Sequence, residues 1–185
     1  MSDAARVPKL ATAADLELRE RHEVIRGVIV EKAASSFEHG AAQLALGELL
    51  GPPYQRGRGG PGGWWFGSEV EIELEPHEVY LPDVAGWRRP RVPERPRGRP
   101  IRIRPDWVAE VLSPSNPEND LGAKLLGYHQ ASVPHYWIID PQRETLTVYR
   151  WTKDGYIAQL VAGRGEIVRA APFVELELEV ALLFG

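Results

Sequence analysis

Residues 106–140 read DWVAEVLSPSNPENDLGAKLLGYHQASVPHYWIID, and this stretch decides the fold. Residues 106–112 form an apolar run short enough for a buried strand, and residues 135–140 form a second such run. Between them, the polar start and the apolar spacing predict a helix over about residues 119–131. A helix placed between two buried strands is typical of a sheet with helices packed against it.

The segments outside this stretch alternate between helical and strand periodicity. The sequence predicts helices at residues 10–21 and 37–50, strands at residues 23–30, 70–75, 79–87 (interrupted by Pro82), 145–151 and 156–161, and a short helix at the end of the tail, residues 173–184. Gly27 is the predicted turn of a hairpin, and residues 57–63 are a glycine-rich loop. The order predicts one α/β domain over residues 1–185, with a mixed sheet flanked by helices and additional C-terminal antiparallel strands.

The composition excludes several classes of chemistry. With no cysteine among 185 residues, the chain forms no disulfide scaffold, thiolate zinc site or cysteine nucleophile. It also lacks the HExxH of zinc hydrolases, the Gly-x-Ser-x-Gly of serine hydrolases and a GxGxxG that follows a strand. No apolar run approaches the ~18–20 residues of a membrane span, and the N-terminus lacks an apolar signal region. We therefore expect a cytoplasmic protein with no membrane contact.

Charge is unevenly distributed along the chain. Of 22 basic residues, 18 are arginines and four are lysines, and residues 88–104 hold eight arginines against one acid, Glu94. Four prolines keep this segment extended, so the sequence predicts an Arg/Pro-rich arm that faces a polyanion. The alternative is an arm neutralised by the acidic residues 69–75 and 175–179. Residues 69–75 themselves alternate glutamate with apolar side chains, which predicts a half-buried strand with a solvated acidic face.

Three charged residues lie in or beside apolar segments, where burial makes a charge energetically unfavourable. Asp83 lies among apolar neighbours in residues 80–85, Glu110 lies inside the predicted strand 106–112, and Lys124 lies on the following helix. A carboxylate in a buried strand is costly unless it is paired or bound to a cation. Two carboxylates that meet suit Mg²⁺ or Mn²⁺, and a nearby lysine can orient a water or stabilise developing charge. The pattern indicates a phosphodiester-hydrolysing site, and a buried salt-bridge network completed by an arginine is the alternative.

Several motifs of the chain resemble a known family. They are Glu23-Val-Ile-Arg-Gly27, His39, Pro82-Asp83, Glu110-Val-Leu-Ser113-Pro114-Ser115, Asp120…Lys124…Tyr128 and Val133-Pro134-His135-Tyr136-Trp137-Ile138-Ile139-Asp140-Pro141. Together they are similar to the Uma2 family of the PD-(D/E)XK superfamily of restriction-endonuclease-like nucleases, over about residues 12–184. The resemblance implies a restriction-endonuclease-like mixed sheet.

The resemblance also implies roles for individual residues. Asp83 and Glu110 correspond to the two acids that bind the metal, with Mg²⁺ or Mn²⁺ as the cofactor. The superfamily usually has a lysine two residues after the second acid, but this chain has Leu112 there, so Lys124 would be a displaced catalytic lysine. Glu23 resembles an accessory catalytic acid.

Three further residues are candidates for lining the cleft. They are His39, Tyr128 and Gln130, although His39 also suits a helix cap or a packing role, and Tyr128 suits packing. In the Arg/Pro-rich arm, the predicted nucleic-acid contacts are Arg95, Arg97, Arg99 and Arg102.

These inferences lead to a predicted function with an open alternative. We expect a metal-dependent endonuclease that hydrolyses DNA phosphodiester bonds. We also expect a homodimer, because a small domain with six tryptophans and exposed strand edges favours self-association. The alternative is a non-catalytic nucleic-acid-binding or structural homodimeric module that keeps the nuclease fold.

Overall fold

The computed structural model describes residues 9–113 and 119–185. Within these ranges the chain forms twelve strands: β1 His22–Ile25, β2 Val28–Glu31, β3 Trp64–Ser68, β4 Ile72–Glu75, β5 Glu78–Tyr80, β6 Val84–Arg88, β7 Trp107–Val111, β8 His135–Asp140, β9 Thr145–Thr152, β10 Gly155–Gly163, β11 Ile167–Val168 and β12 Leu178–Glu179. The motif residues Pro114 and Ser115 and the side chain of Asp120 lie outside the described residues.

Two α-helices and four short helical segments complete the described chain. They are α1 Phe37–Leu50, α2 Lys124–Gln130, 3-10 helices at Ala13–Leu16 and Val180–Leu183, and π-helical turns at Gly51–Gln55 and Asn119–Ala123. Ser36 caps α1 by accepting a hydrogen bond from the backbone N–H of His39, as expected of a serine at a helix start. No helix of the described residues is long and apolar enough to cross a membrane.

The larger sheet has six strands in the order β10-β9-β8-β7-β6-β3. Strands β7 and β8 are parallel and are linked through α2, and each other pair of neighbours is antiparallel. The two apolar runs of the sequence form these central strands, where β7 is buried along its whole length. The predicted mixed sheet with C-terminal antiparallel strands is therefore confirmed.

A smaller antiparallel sheet, in the order β2-β1-β5-β4, packs beside the larger one. The predicted hairpin at Gly27 forms β1 and β2, and Gly27 has a φ of +73° that favours glycine at the turn. β5 pairs with β1 through Val24 and Val79. Because β5 is followed directly by β6, this pairing brings β1 close to the start of β6.

Aromatic residues fill the core on both faces of the larger sheet. On one face, Trp107 and Trp137 pack edge-to-face with each other and with Phe173 of the C-terminal tail, beneath α1. On the other face, Tyr128 of α2 packs against Tyr80 and Tyr136. The sheet is therefore covered on both sides, and α1 and α2 lie on opposite faces.

The N-terminal helix predicted over residues 10–21 is wrong in length. A capping box between Thr12 and Asp15 starts a 3-10 helix, but this helix ends at Leu16. Leu18 is 99% exposed, so only Ala13 and Leu16 face the core. A helix needs an apolar face to bury, and this segment has too little of one.

The interruption predicted at Pro82 within residues 79–87 is confirmed, because the two parts are separate strands, β5 and β6, which belong to different sheets. β3 was not predicted, because its WWFGS sequence has no alternating pattern and follows a glycine-rich loop. It pairs with β6 along its length and forms the edge of the larger sheet.

The Arg/Pro-rich arm, residues 88–104, connects two antiparallel strands, β6 and β7. Asp83 lies just before β6 begins and Glu110 lies near the end of β7, so both arm ends are at the opposite end of these strands from the two acids. Direct connection therefore does not by itself hold the arm near the two acids, although its Gly98 and Arg99 share a cavity with Glu69 and Leu81. The later part of the arm is fixed instead at β4, where the N–H of Ile101 donates to the carbonyl of Glu71.

His135, at the start of β8, makes the stability of the fold sensitive to acid. Burial lowers the pKa of His135 to about 4, and the charges of Arg88 and Arg150 contribute, against a smaller opposing effect of Asp106. Histidine in the unfolded chain titrates near 6.5. Since the folded pKa is the lower one, protonation favours unfolding, and this contribution to stability is lost as pH falls from about 6.5 to about 4.

Urea unfolding at two pH values tests this. Between pH 7.5 and pH 5 we expect His135 to account for a loss of about 2 kcal/mol in the free energy of unfolding. A His135→Gln variant should lose less over the same interval, whatever its stability at pH 7.5. If the variant and the wild type lose the same amount, His135 does not titrate as described.

Candidate active site

Asp83 and Glu110 come together because β6 and β7 are neighbours. The backbone N–H of Asp83 donates to Oε2 of Glu110 over 3.3 Å, and the N–H of Val111 donates to Oδ2 of Asp83 over 2.7 Å. Each carboxylate is thus tied to the backbone of the other strand. Both residues are 1% exposed, so each needs further polar partners to offset its desolvation.

Lys124 and Glu23 form one half of the site with Glu110. The Nζ of Lys124 lies 2.7 Å from Oε1 of Glu110 and 3.1 Å from Oε1 of Glu23. The hydroxyl of Tyr128, one turn further along α2, donates to the same oxygen of Glu110 over 2.8 Å. Glu23 is itself fixed by the N–H of Leu81, over 2.7 Å. The structure therefore brings together four of the residues that the sequence singled out.

Asp83 forms the other half of the site with two different partners. The Nε2 of His39 lies 3.1 Å from Oδ2 of Asp83, and the Nζ of Lys32 lies 2.7 Å from Oδ1. Burial alone would raise the pKa of Asp83, but the hydrogen bond from His39 and the charge of Lys32 hold that pKa well below its usual value. Asp83 is therefore a carboxylate at neutral pH.

Lys32 was not among the residues predicted for the site. It follows the last residue of β2, and its ammonium also donates to the carbonyl of Leu81 over 2.7 Å. Burial would lower the pKa of Lys32, but the nearby carboxylates of Asp83 and Glu110 raise it. The available signal was compositional, because the chain has only four lysines against 18 arginines, which favours a specific role for each lysine.

A small cavity of about 30 Å³ lies between these two halves. Its walls include Glu23, Lys32, His39, Asp83, Glu110, Ser113 and Lys124. This volume holds about one or two water molecules, so it suits a single small ion. A larger cavity, of about 680 Å³, lies beside Trp64 and Arg88 at the far end of β3 and β6 and contains none of the predicted site residues.

The donor set fits a hard divalent cation. Carboxylate oxygens of Asp83 and Glu110 are the ligands that Mg²⁺ and Mn²⁺ prefer, and they face one cavity. Across residues 9–113 and 119–185, however, no three acidic or histidine side chains already converge in a geometry that could hold a metal. The ammonium groups of Lys32 and Lys124 are interleaved with the carboxylates, so the described arrangement is a network of buried ion pairs.

One of the predicted cleft residues, Gln130, lies outside the cluster. Gln130 is exposed at the end of α2 and lies on the side of this helix away from Lys124, so it does not join the cluster.

In the arm, Arg99 pairs with Glu71 over 2.9 Å and Arg102 pairs with Glu73 over 2.9 Å. The alternative of a neutralised arm thus holds for these two arginines. The predicted solvated acidic face is wrong at Glu71, which is buried, whereas Glu75 is exposed.

Arg95 and Arg97 differ from their neighbours in the arm. Both are exposed, and neither has an ion pair with any described residue. Of the four arginines predicted to contact nucleic acid, these two keep their charge available to solvent.

The chain is similar to a known protein family and to a solved structure. A family model described as "Uma2: Putative restriction endonuclease" matches residues 10–182. Among solved structures, the chain is similar to the crystal structure of "a putative nuclease belonging to DUF820" from Anabaena variabilis ATCC 29413. The two are 23% identical, the match covers 94% of this chain and 97% of the other, and the TM-score is 0.69. No curated protein sequence matches the chain. The likeness agrees with the restriction-endonuclease-like α/β fold expected from the sequence.

The buried ion pairs predict how the metal-free protein responds to loss of one charge. Asp83→Asn keeps the shape of the side chain but leaves Lys32 without its closest carboxylate. We expect the free energy of unfolding to fall by about 3 kcal/mol, the usual range for breaking a buried pair. Chemical denaturation at pH 7.5 in the presence of a chelator measures this change.

Asp106→Asn is a matched control at the other end of the sheet. Its partner Arg91 is 36% exposed, so water can replace the lost interaction and the expected destabilisation is smaller. If Asp83→Asn instead stabilised the metal-free fold, repulsion between Asp83 and Glu110 would dominate, and the network described above would be contradicted.

Proposed function

Because this chain belongs to the Uma2 family, we propose that it is a divalent-cation-dependent endonuclease that hydrolyses phosphodiester bonds of DNA. The observation that carries the proposal is the buried cluster of Asp83, Glu110 and Lys124 around one cavity. The description of the family and the nuclease neighbour support the same reaction class.

In this proposal, Asp83 and Glu110 hold Mg²⁺ or Mn²⁺ as cofactor. Such a cation polarises a phosphate and lowers the pKa of a bound water. Glu23 and Glu110 fix the ammonium of Lys124 between them, which positions it to orient the attacking water and to stabilise charge that develops on the phosphate. Tyr128 holds the Glu110 carboxylate in one orientation.

One observation favours a second candidate function. In the described structure both metal-binding acids already have a lysine partner, Lys32 or Lys124. In a network of this kind each of the two acids has a charged partner without a metal, as expected of a non-catalytic module that binds nucleic acid or serves as a structural homodimer. Cleavage assays distinguish the two candidates.

Homodimeric assembly stays part of the proposal. Four of the six tryptophans, Trp64, Trp87, Trp107 and Trp137, are in the core and not on a surface, which removes one reason for expecting it. The other reason was exposed strand edges. It still applies, because the edge strand β10 leaves Ile157 54% and Val161 62% exposed.

Nicking of supercoiled plasmid DNA in the presence of Mg²⁺ or Mn²⁺ tests the nuclease proposal. We expect cleavage by the wild type, its abolition by a chelator, and a loss of about 100-fold or more in Asp83→Asn, Glu110→Gln and Lys124→Met. Lys153→Met is the matched control, because Lys153 is an exposed lysine in the turn between β9 and β10. Cleavage that survives both chelation and Lys124→Met would contradict the proposed role of the cluster.

The arm offers a second test, on binding. In a Glu110→Gln background, replacement of Arg95 and Arg97 by alanine should lower affinity for all duplex sequences alike. The slope of log affinity against log salt should flatten by about 0.9 for each lost phosphate contact. Replacement of Arg99 and Arg102 should change the slope less, because Glu71 and Glu73 already engage them. Fluorescence anisotropy measures both, and an unchanged slope in the Arg95/Arg97 variant would exclude these residues as phosphate contacts.

A further inference from the structure

The ammonium of Lys32 lies near two carboxylates, those of Asp83 and Glu69. Its ammonium lies 2.7 Å from Oδ1 of Asp83 and 3.6 Å from Oε1 of Glu69. It also donates to the backbone carbonyl of Leu81, and this hydrogen bond involves neither carboxylate. A small movement of the ammonium toward Glu69 would therefore exchange one carboxylate for another without leaving the charge unpaired.

Glu69 is held in place to receive this charge. Its N–H lies 3.2 Å from the carbonyl of Pro82 and 3.3 Å from that of Asp83, which anchors its backbone beside the site. Its side chain is 32% exposed, and its other oxygen lies 3.7 Å from Arg21. Glu69 is thus an acceptor at the edge of the site, on the solvent side of Lys32.

The charges of the buried cluster favour replacement of Lys32 at Asp83 by a divalent cation. Among carboxylates and ammonium groups, Glu23, Asp83 and Glu110 face Lys32 and Lys124, which leaves one uncompensated negative charge. If a divalent cation took the place of Lys32 on Asp83, the same count would be neutral. By this count a divalent cation plus Lys124 compensates all three carboxylates, whereas the two lysines leave Asp83 dependent also on its contacts with His39 and the N–H of Val111.

From these contacts we propose that Lys32 is an internal counter-ion that occupies Asp83 in the metal-free protein and moves to Glu69 when a divalent cation binds. This inference rests on the proposed metal site and adds a residue that regulates its occupancy. It accounts for the interleaving of lysines and acids in a donor set that otherwise suits Mg²⁺. Cation binding is then a competition between the cation and the Lys32 ammonium for Asp83.

Calorimetric titration of Mn²⁺ into wild type, Lys32→Met and the control Lys153→Met tests the competition. Methionine removes the ammonium but keeps an unbranched side chain, and the control makes the same change of charge on the surface. We expect Lys32→Met to bind Mn²⁺ at least about tenfold more tightly than wild type, which corresponds to about 1.4 kcal/mol. Lys153→Met should bind as the wild type does.

Glu69→Gln tests the second position of Lys32 and does not depend on the folding of Lys32→Met. Without the Glu69 carboxylate, the displaced ammonium loses its acceptor, so Mn²⁺ affinity should fall relative to wild type. In the double variant with Lys32→Met the same substitution should have little effect, since no ammonium needs a new partner.

The outcomes separate this inference from the proposed function. Mn²⁺ affinity in Lys32→Met that is equal to or below that of wild type overturns the inference, as does unchanged affinity in Glu69→Gln. If Lys32→Met binds Mn²⁺ more tightly and Glu69→Gln more weakly, while no protein cleaves DNA with the cation bound, the inference stands and the nuclease proposal fails.

Discussion

Three carboxylates buried in one place impose the constraint on which the rest of this structure depends. Glu23, Asp83 and Glu110 are each no more than 3% exposed, and isolated carboxylates at such depth would cost many kcal/mol. The fold meets this cost with two lysines, one histidine and backbone N–H groups that come from five separate segments of the chain. The same convergence of charge around one small cavity is what gives the site its potential for chemistry.

The arrangement of strands explains how these segments meet. β6 and β7 are neighbours in the larger sheet, so Asp83 and Glu110 are adjacent at the same end of it. The smaller sheet brings Glu23 and Lys32 to that end, because β5, which pairs with β1, leads directly into β6. From the two faces of the larger sheet, α1 and α2 contribute His39 and Lys124. Each sheet face thus supplies one partner, and neither acid depends on a single neighbour.

The parts of the site that could be predicted were those with a local signal. Glu110 stands out as a charge inside an apolar strand, and Lys124 and Tyr128 share one face of the next helix. The Lys32–Asp83 pair could not be predicted, because it joins residues 51 positions apart and depends on how the two sheets pack. The route of the arm could not be predicted for a similar reason, since the antiparallel pairing of β6 and β7 decides at which end the arm emerges. Local pattern identifies buried charge, whereas tertiary pairing decides its partner.

In this proposal Asp83 and Glu110 form a divalent-cation site, and Lys32 occupies Asp83 when no cation is bound. The most direct measurement is a crystal structure grown with saturating Mn²⁺ and analysed for anomalous scattering at the manganese edge. The account predicts one strong peak shared by the carboxylates of Asp83 and Glu110, with the ammonium of Lys32 against Glu69. Well-ordered crystals with no peak between these two acids, and with Lys32 still on Asp83, would contradict it.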